Sequence, residues 1–250
     1  MKFIQLCGAG RAGKSTVASI LFDVAMENNF IPIILPFAKA LKKEANELGY
    51  TKENNPEEYR RYCQRLGAQR RAEDPDYWVN KIQEEVHVLA GIEGVLKEKQ
   101  QERFEHLIIQ DDVRYMNEIA WGRNVGAYQI FVTTGRRTLP EMFEEWRLHE
   151  SEAFAISVEA GKTDYTDIVH EYLVNRGPIP ELIEYVRKNF FRWITEDSPS
   201  NDPTSEKYRK GAMVNDDFLK LLMLKDELDK IDDILSMIED EWEEAKEGEE

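Results

Sequence analysis

The stretch "FIQLCGAGRAGKSTVASILF", residues 3–22, decides the fold. It begins with a short apolar run, turns through a glycine-rich segment, and continues through Lys-Ser-Thr into an apolar helical pattern. Residues 8–15 fit the motif G-x-x-x-x-G-K-[ST], whose glycines let the backbone curl so that its N–H groups point at phosphate oxygens. The preceding apolar run and the following helical pattern supply the strand and helix that such a loop requires. The stretch therefore predicts a phosphate-binding loop.

Each residue type in this loop has a chemical task. Lys14 would reach the β- and γ-phosphates of a nucleoside triphosphate, and the hydroxyl of Ser15 would bind Mg²⁺. The helix that follows Gly13 would add its positive N-terminal end. The alternative is a glycine turn in an unrelated α/β domain. We expect ATP and Mg²⁺ as cofactors, with ATP contacts from Gly8, Gly10, Arg11, Ala12, Gly13, Lys14, Ser15 and Thr16.

Strand-like apolar segments alternate with helical patterns along the first 195 residues. In the segment from Gly13 to Asn28, for example, apolar residues recur at the spacings of one helix face. Such alternation predicts an α/β fold with a mainly parallel sheet, whose ligands bind at the carboxyl ends of the strands. The predicted strands are Lys2–Cys7, Ile31–Pro36, His106–Asp112, a segment within 125–134, and Val169–Asn175.

Composition divides the 250-residue chain into three parts. Residues 1–195 carry the α/β pattern, residues 196–212 form a polar linker with two prolines, and residues 213–250 form an acidic helical pattern. The formal net charge is −16, and residues 196–250 hold 19 acidic and 7 basic side chains. The remainder is nearly balanced and lacks the basic excess that grips nucleic acid. Because no apolar stretch is long enough for a bilayer, we expect a cytoplasmic protein without a membrane partner.

The acidic C-terminal part carries a heptad seam. Its apolar residues are spaced alternately by three and four positions, which predicts an amphipathic helix. Two interpretations stay open: the helix packs back on the α/β part, or it contacts another subunit and produces a homo-oligomer. The seam consists of Leu221, Leu224, Leu228, Ile231, Leu235, Ile238 and Trp242.

The rest of the chain favours a small-molecule kinase over other proteins with this loop. A GTPase would carry an Asn-Lys-x-Asp motif after a strand, and the sequence has none. A motor or helicase core usually needs a longer chain. The chain is short and its middle is rich in arginine, which suits a reaction that positions two anions while a phosphoryl group passes between them.

Five segments in order resemble one known family. They are "GAGRAGKST", "PFAKALKKE", "QRLGAQRRAEDPDYWV", "IIQDDVRYMNEIAW", and "HESE" followed by "YLVNRGPIPELIEYV". Together they resemble the deoxynucleoside monophosphate kinases of tailed bacteriophages, a branch of the nucleoside monophosphate kinase superfamily. The similarity covers roughly residues 1–189, and its most specific part is Asp112–Glu118. It implies a P-loop kinase fold with a five-stranded parallel sheet, and ATP- and Mg²⁺-dependent conversion of a (deoxy)nucleoside 5′-monophosphate to the diphosphate.

The resemblance also implies roles at the end of the third predicted strand. Asp112 would hold Mg²⁺ through water, although it could instead cap the following helix, and Asp111 competes for the metal role from the opposite strand face. Arg114 would grip the acceptor phosphate with its planar guanidinium. Glu118 would orient Arg114 or contact the sugar or base; the alternative is a plain ion pair between Arg114 and Glu118 on a surface helix.

Further acceptor contacts are expected from the helices after the second strand. Lys39 lies nearest the strand end, and Arg70 or Arg71 would replace an arginine that the family carries where this chain has Ala72. Trp78 would stack on the base or, alternatively, pack in the core.

Catalytic roles are expected for Lys14, Arg114 and Arg136, the last in a lid after the fourth strand. Glu152, in "HESE", would orient the substrate or brace the lid, and Asn175 would lie against adenine.

Two other functions compete with the monophosphate kinase. One is a P-loop kinase that phosphorylates a modified base in phage DNA, with the same fold and donor site. The other is a nucleotide-binding component of a complex, without catalysis, that joins its partners through the acidic helix. The nearly balanced charge of residues 1–195 argues against the DNA substrate.

Overall fold

The computed structural model of the protein describes residues 1–53, 55–98, 105–135, 150–159 and 168–195. Five strands form one sheet in the order β2-β3-β1-β4-β5, and every neighbouring pair is parallel. The predicted α/β fold with a five-stranded parallel sheet is therefore confirmed. The strands are β1 (Lys2–Cys7), β2 (Phe30–Ile34), β3 (Glu105–Val113), β4 (Tyr128–Thr133) and β5 (Glu171–Val174).

Helices cover both faces of this sheet. The helices are α1 (Lys14–Glu27), α2 (Lys39–Glu47), α3 (Pro56–Glu73), α4 (Tyr77–Glu98), α5 (Met116–Asn124), α6 (Ala153–Glu159) and α7 (Ile179–Thr195), and a short 3₁₀ turn (Glu150–Glu152) precedes α6. Apolar residues of α1 and α7 pack on one face with Ile4 and Leu6. Residues of α4, α5 and α6 pack on the other face with Cys7. Alternate β1 side chains thus enter opposite cores, as the pleat of a strand requires.

The second strand is an edge strand of the described sheet. It pairs only with β3, and its last residue, Ile34, is 39% exposed. An edge position also accommodates Pro32, because proline has no N–H to donate to a second neighbour. The long apolar run "IPIILP" therefore predicts a strand but does not determine whether that strand is central or at the edge of the sheet.

Several sequence-based expectations concern residues outside the described ranges. These are the lid with Arg136, the linker over 196–212 and the acidic helix over 213–250. The described α/β domain ends with α7 at Thr195. Among the helices that the structure describes, none has the length and apolar character needed to cross a membrane.

Candidate active site

The glycine-rich loop lies between the end of β1 and the start of α1. Gly8 has φ +126° and Gly13 has φ +92°, backbone conformations that residues other than glycine rarely adopt. A Cβ atom on Gly8 would also collide with the carbonyl oxygen of Val132 on the neighbouring strand. The loop therefore curls tightly against β4, and the strand–loop–helix context expected from the sequence is present.

Lys14, the first residue of α1, folds back into the curl of the loop. Its Nζ atom donates to the carbonyl oxygens of Gly8 and Ala9, at 2.6 and 2.8 Å. Burial, and secondarily the positive charge of Arg114, lowers the pKa of Lys14 to about 8. The fold thus holds an ammonium group where its charge is incompletely compensated, and an anion bound at the loop would stabilise that charge.

The two aspartates at the end of β3 contact different partners. The hydroxyl of Ser15 donates to Oδ2 of Asp111 at 2.8 Å. Asp112 instead accepts from the backbone N–H groups of Phe37 and Ala38, at 2.7 and 3.0 Å, just before α2. Asp112 was the expected metal residue, but both of its oxygens are engaged by backbone. Of the two aspartates, Asp111 is the one whose oxygen lies beside the hydroxyl of Ser15.

A bulge in β3 accompanies this arrangement. Gln5 of β1 is opposite Gln110, whereas Cys7, two residues later, is opposite Val113, three residues later. The extra residue on β3 falls at the two aspartates and disrupts the regular alternation of its side chains. The register shift lies between strands that are distant in sequence, so the sequence left the choice between Asp111 and Asp112 open.

Arg114 is brought to the loop by the connection between β3 and α5. Its guanidinium forms an ion pair with Oε1 of Glu152 and donates to the hydroxyl of Ser151 at 3.3 Å. The second oxygen of Glu152 accepts from the backbone N–H of Gly10 at 2.6 Å. Glu152, the last residue of "HESE", therefore connects Arg114 with the glycine-rich loop.

Glu118 is buried at the start of α5. Its Oε2 atom accepts from the backbone N–H groups of Arg114 and Tyr115, at 2.8 and 3.1 Å, which fixes the first turn of the helix. Burial raises the pKa of Glu118 to about 7, although the positive charge of Arg71 and the two N–H groups oppose the shift. The alternative of a surface ion pair between Arg114 and Glu118 is wrong, because the Arg114 guanidinium pairs with Glu152.

The two adjacent arginines of α3 lie in different surroundings. The guanidinium carbon of Arg71 lies 3.7 Å from the ring centroid of Tyr115, and its Nη2 atom is 3.7 Å from Glu118. Arg70 pairs with Glu44 of α2 at 3.2 Å. Of the two, Arg71 is the one that reaches the start of α5 beside Arg114.

Trp78 and Lys39 also have partners within the protein. Trp78 is only 3% exposed, packs with Leu41 and Leu66, and donates from its indole N–H to the carbonyl oxygen of Gly67 at 3.3 Å. This buried position supports the packing interpretation and leaves no open ring face for the base stacking that we expected. Lys39 forms an ion pair with Glu85 of α4.

Asn175 follows β5 and contacts the loop from the side. Its Nδ2 atom donates to the carbonyl oxygen of Ala12 at 3.2 Å, and its backbone N–H donates to Thr133 at 2.6 Å. A Cβ atom on Gly13 would collide with the amide of Asn175. Asn175 therefore lies beside the glycine-rich loop and gives a second reason for glycine at position 13, whereas its contact with adenine stays a prediction.

The central strands carry a row of three buried glutamines that the sequence analysis did not identify. Gln5, Gln110 and Gln129 are fully buried on the three central strands, where the amide of Gln5 donates to Gln110 at 2.8 Å and accepts from Gln129 at 2.7 Å. The row also donates to carbonyl oxygens in the first turn of α5, those of Glu118 and Ile119. The available signal was a glutamine within each of these three apolar strands. The row anchors the helix that positions Arg114.

The oxygen atoms of Ser15 and Asp111 fit Mg²⁺, which takes one or two protein oxygens and completes its shell with water and phosphate. Within the described ranges there is no group of three or more histidine, cysteine, aspartate or glutamate side chains that could hold a metal ion.

Comparison with known proteins returned neither a matching family model nor a matching curated protein.

Proposed function

We propose that the protein transfers the γ-phosphoryl group of ATP to a (deoxy)nucleoside 5′-monophosphate, with Mg²⁺, and releases ADP and the diphosphate. The observation that carries this proposal is the placement of Arg114 beside the loop lysine. Arg114 pairs with Glu152, whose other oxygen accepts from the N–H of Gly10 in the loop, and the charge of Arg114 contributes to the lowered pKa of Lys14. Two cations beside one loop suit two phosphate groups that approach each other.

The residues divide the task between donor and acceptor. The loop N–H groups and Lys14 hold the β- and γ-phosphates, and Arg114 holds the acceptor phosphate. Ser15 and Asp111 would hold Mg²⁺, which neutralises charge on the donor phosphates when bound. An acceptor phosphate oxygen bonds to the γ-phosphorus while the bond from that phosphorus to the β–γ bridging oxygen breaks, and ADP leaves with that oxygen. No covalent enzyme intermediate forms.

The direct test is a panel of ribo- and deoxyribonucleoside monophosphates, each incubated with the full-length protein and ATP·Mg²⁺. We expect at least one diphosphate product, and Lys14→Ala should lower its turnover by about 10³-fold because a transition-state charge partner is lost. Lys43→Ala is the matched control, since Lys43 is exposed and pairs only weakly, at 3.8 Å, with Glu47. It should change turnover less than about twofold.

Three results would contradict the proposal. Labelling of DNA in place of free monophosphates would indicate the DNA-base kinase. Absence of any phosphorylated product, with nucleotide binding retained, would indicate a component without catalysis. Retained activity in Lys14→Ala would exclude the loop as the donor site.

A further inference from the structure

Glu152 is an anion inside the phosphate-binding loop. Its side chain is 3% exposed, and both oxygens are used: one accepts from the Gly10 N–H at 2.6 Å and the other pairs with Arg114. A buried carboxylate is unfavourable unless its charge and hydrogen bonds are compensated, and these two contacts supply the compensation. Glu152 therefore depends on the same two groups that the proposed function assigns to phosphates.

We propose that Glu152 is a stand-in for the donor phosphate. In the nucleotide-free protein it holds both the Gly10 N–H and Arg114, and a polyphosphate bound at the loop displaces it. Displacement frees Arg114 for the acceptor phosphate, so donor binding strengthens acceptor binding. This inference rests on the proposed function and specifies how its two substrates are coupled.

Competition at Gly10 is the first step of the argument. In a loop of this motif the backbone N–H groups are the phosphate ligands. A carboxylate oxygen and a phosphate oxygen cannot both occupy the 2.6 Å position on the Gly10 N–H. Because Glu152 is buried, little solvent separates its charge from an incoming polyphosphate, and the two anions repel each other.

Release of Arg114 is the second step. Among the contacts described for its guanidinium are Glu152 and the hydroxyl of Ser151, both on the turn before α6. While Glu152 is fixed at Gly10, an acceptor phosphate must compete with a paired carboxylate for the same guanidinium. Loss of the Gly10 contact removes one of the two bonds that hold Glu152 in place, and acceptor affinity rises. By linkage, the acceptor strengthens donor binding by the same factor.

The test measures the binding of tripolyphosphate, which has neither base nor sugar, to full-length protein by calorimetry. Glu152→Gln keeps the size of the side chain and removes its charge, so tripolyphosphate should bind about tenfold more tightly than to the wild type, in the range of effects expected for one close charge pair. Glu159→Gln is the matched control, on the helix α6 that follows the turn of Glu152; its carboxylate accepts from Thr133 Oγ1 at 2.9 Å. This control should bind tripolyphosphate as the wild type does.

Coupling is measured separately with a monophosphate acceptor, with and without saturating tripolyphosphate. In the wild type tripolyphosphate should raise acceptor affinity by at least about fivefold, and in Glu152→Gln the factor should fall to about one. Unaltered tripolyphosphate affinity in Glu152→Gln, or wild-type protein that binds both ligands without coupling, would overturn the inference and leave the proposed function intact. If Glu152→Gln fails to fold, the coupling measured in the wild type still decides whether the inference holds. Wild-type protein that binds no tripolyphosphate would overturn both.

Discussion

The two sides of the candidate site, which the proposed function assigns to the donor and the acceptor, are built in different ways. The donor loop is a contiguous segment, residues 8–15, whose shape follows from glycines at φ +126° and +92° and from the helix that begins at Lys14. The acceptor side is assembled from α3, the β3–α5 connection and the turn before α6. A contiguous loop is specified by local residue chemistry, whereas an assembled surface depends on which distant side chains meet.

The largest effect that separates the two sides should come from Arg114→Lys. A lysine keeps the charge but loses the planar fork that binds phosphate at two points, so we expect acceptor kcat/KM to fall by about 10²-fold. The affinity for tripolyphosphate, which the donor loop binds, should change by less than about threefold. Steady-state kinetics with varied acceptor, together with calorimetry, measures the two values.

Arg187→Lys serves as the control for this substitution. Arg187 is exposed on α7 and pairs with Glu27, so its replacement should alter neither value. If Arg114→Lys weakens donor and acceptor binding equally, Arg114 belongs to the loop and the division into two sides is wrong.

The same division explains what could be predicted from the sequence. The order of strands and helices and the loop conformation follow from short-range patterns, and the sheet is as expected. Trp78 illustrates the limit: an aromatic residue at the start of α4 fits both a base platform and a core position, and only its burial against α2 and α3 decides. Glu152 was expected to orient the substrate or brace the lid, but its contact with Gly10 joins residues 142 positions apart, which no local pattern specifies.

An intermediate effect should distinguish the two aspartates of the β3 bulge. Asp111→Asn removes the carboxylate beside Ser15, and the Mg²⁺ concentration for half-maximal activity should rise by about tenfold. Asp112→Asn retains only one oxygen acceptor for the N–H groups of Phe37 and Ala38, and it should lower the free energy of unfolding by about 1 kcal/mol. Its Mg²⁺ requirement should match the wild type.

Mg²⁺ titrations of activity and urea unfolding of both variants make this comparison. The assignment fails if the Mg²⁺ requirement shifts in Asp112→Asn and stays constant in Asp111→Asn. That result would assign the metal contact to Asp112, whose carboxylate accepts from the backbone just before α2. The bulge would then not explain which aspartate holds the metal.

A different kind of effect is expected on stability, in the pH dependence that Glu118 gives to it. Burial raises its pKa from 4.5 to about 7 in the folded protein, so the folded state binds more protons than the unfolded state between these values. Its contribution to stability is fully present below pH 4.5 and is lost as the pH rises through 7. Relative to Glu118→Gln, the wild type should lose up to about 3 kcal/mol of unfolding free energy across this window.

Urea unfolding of wild type and Glu118→Gln at pH 5, 6, 7 and 8 measures the difference, in which the other titrating groups largely cancel. Glutamine keeps one oxygen acceptor for the N–H groups of Arg114 and Tyr115, so the first turn of α5 can persist. A difference that is constant with pH would mean that Arg71 and the two N–H groups compensate the buried charge fully. Glu118 would then act only as a helix cap, and its contribution to the unfolding free energy would not depend on pH near neutrality.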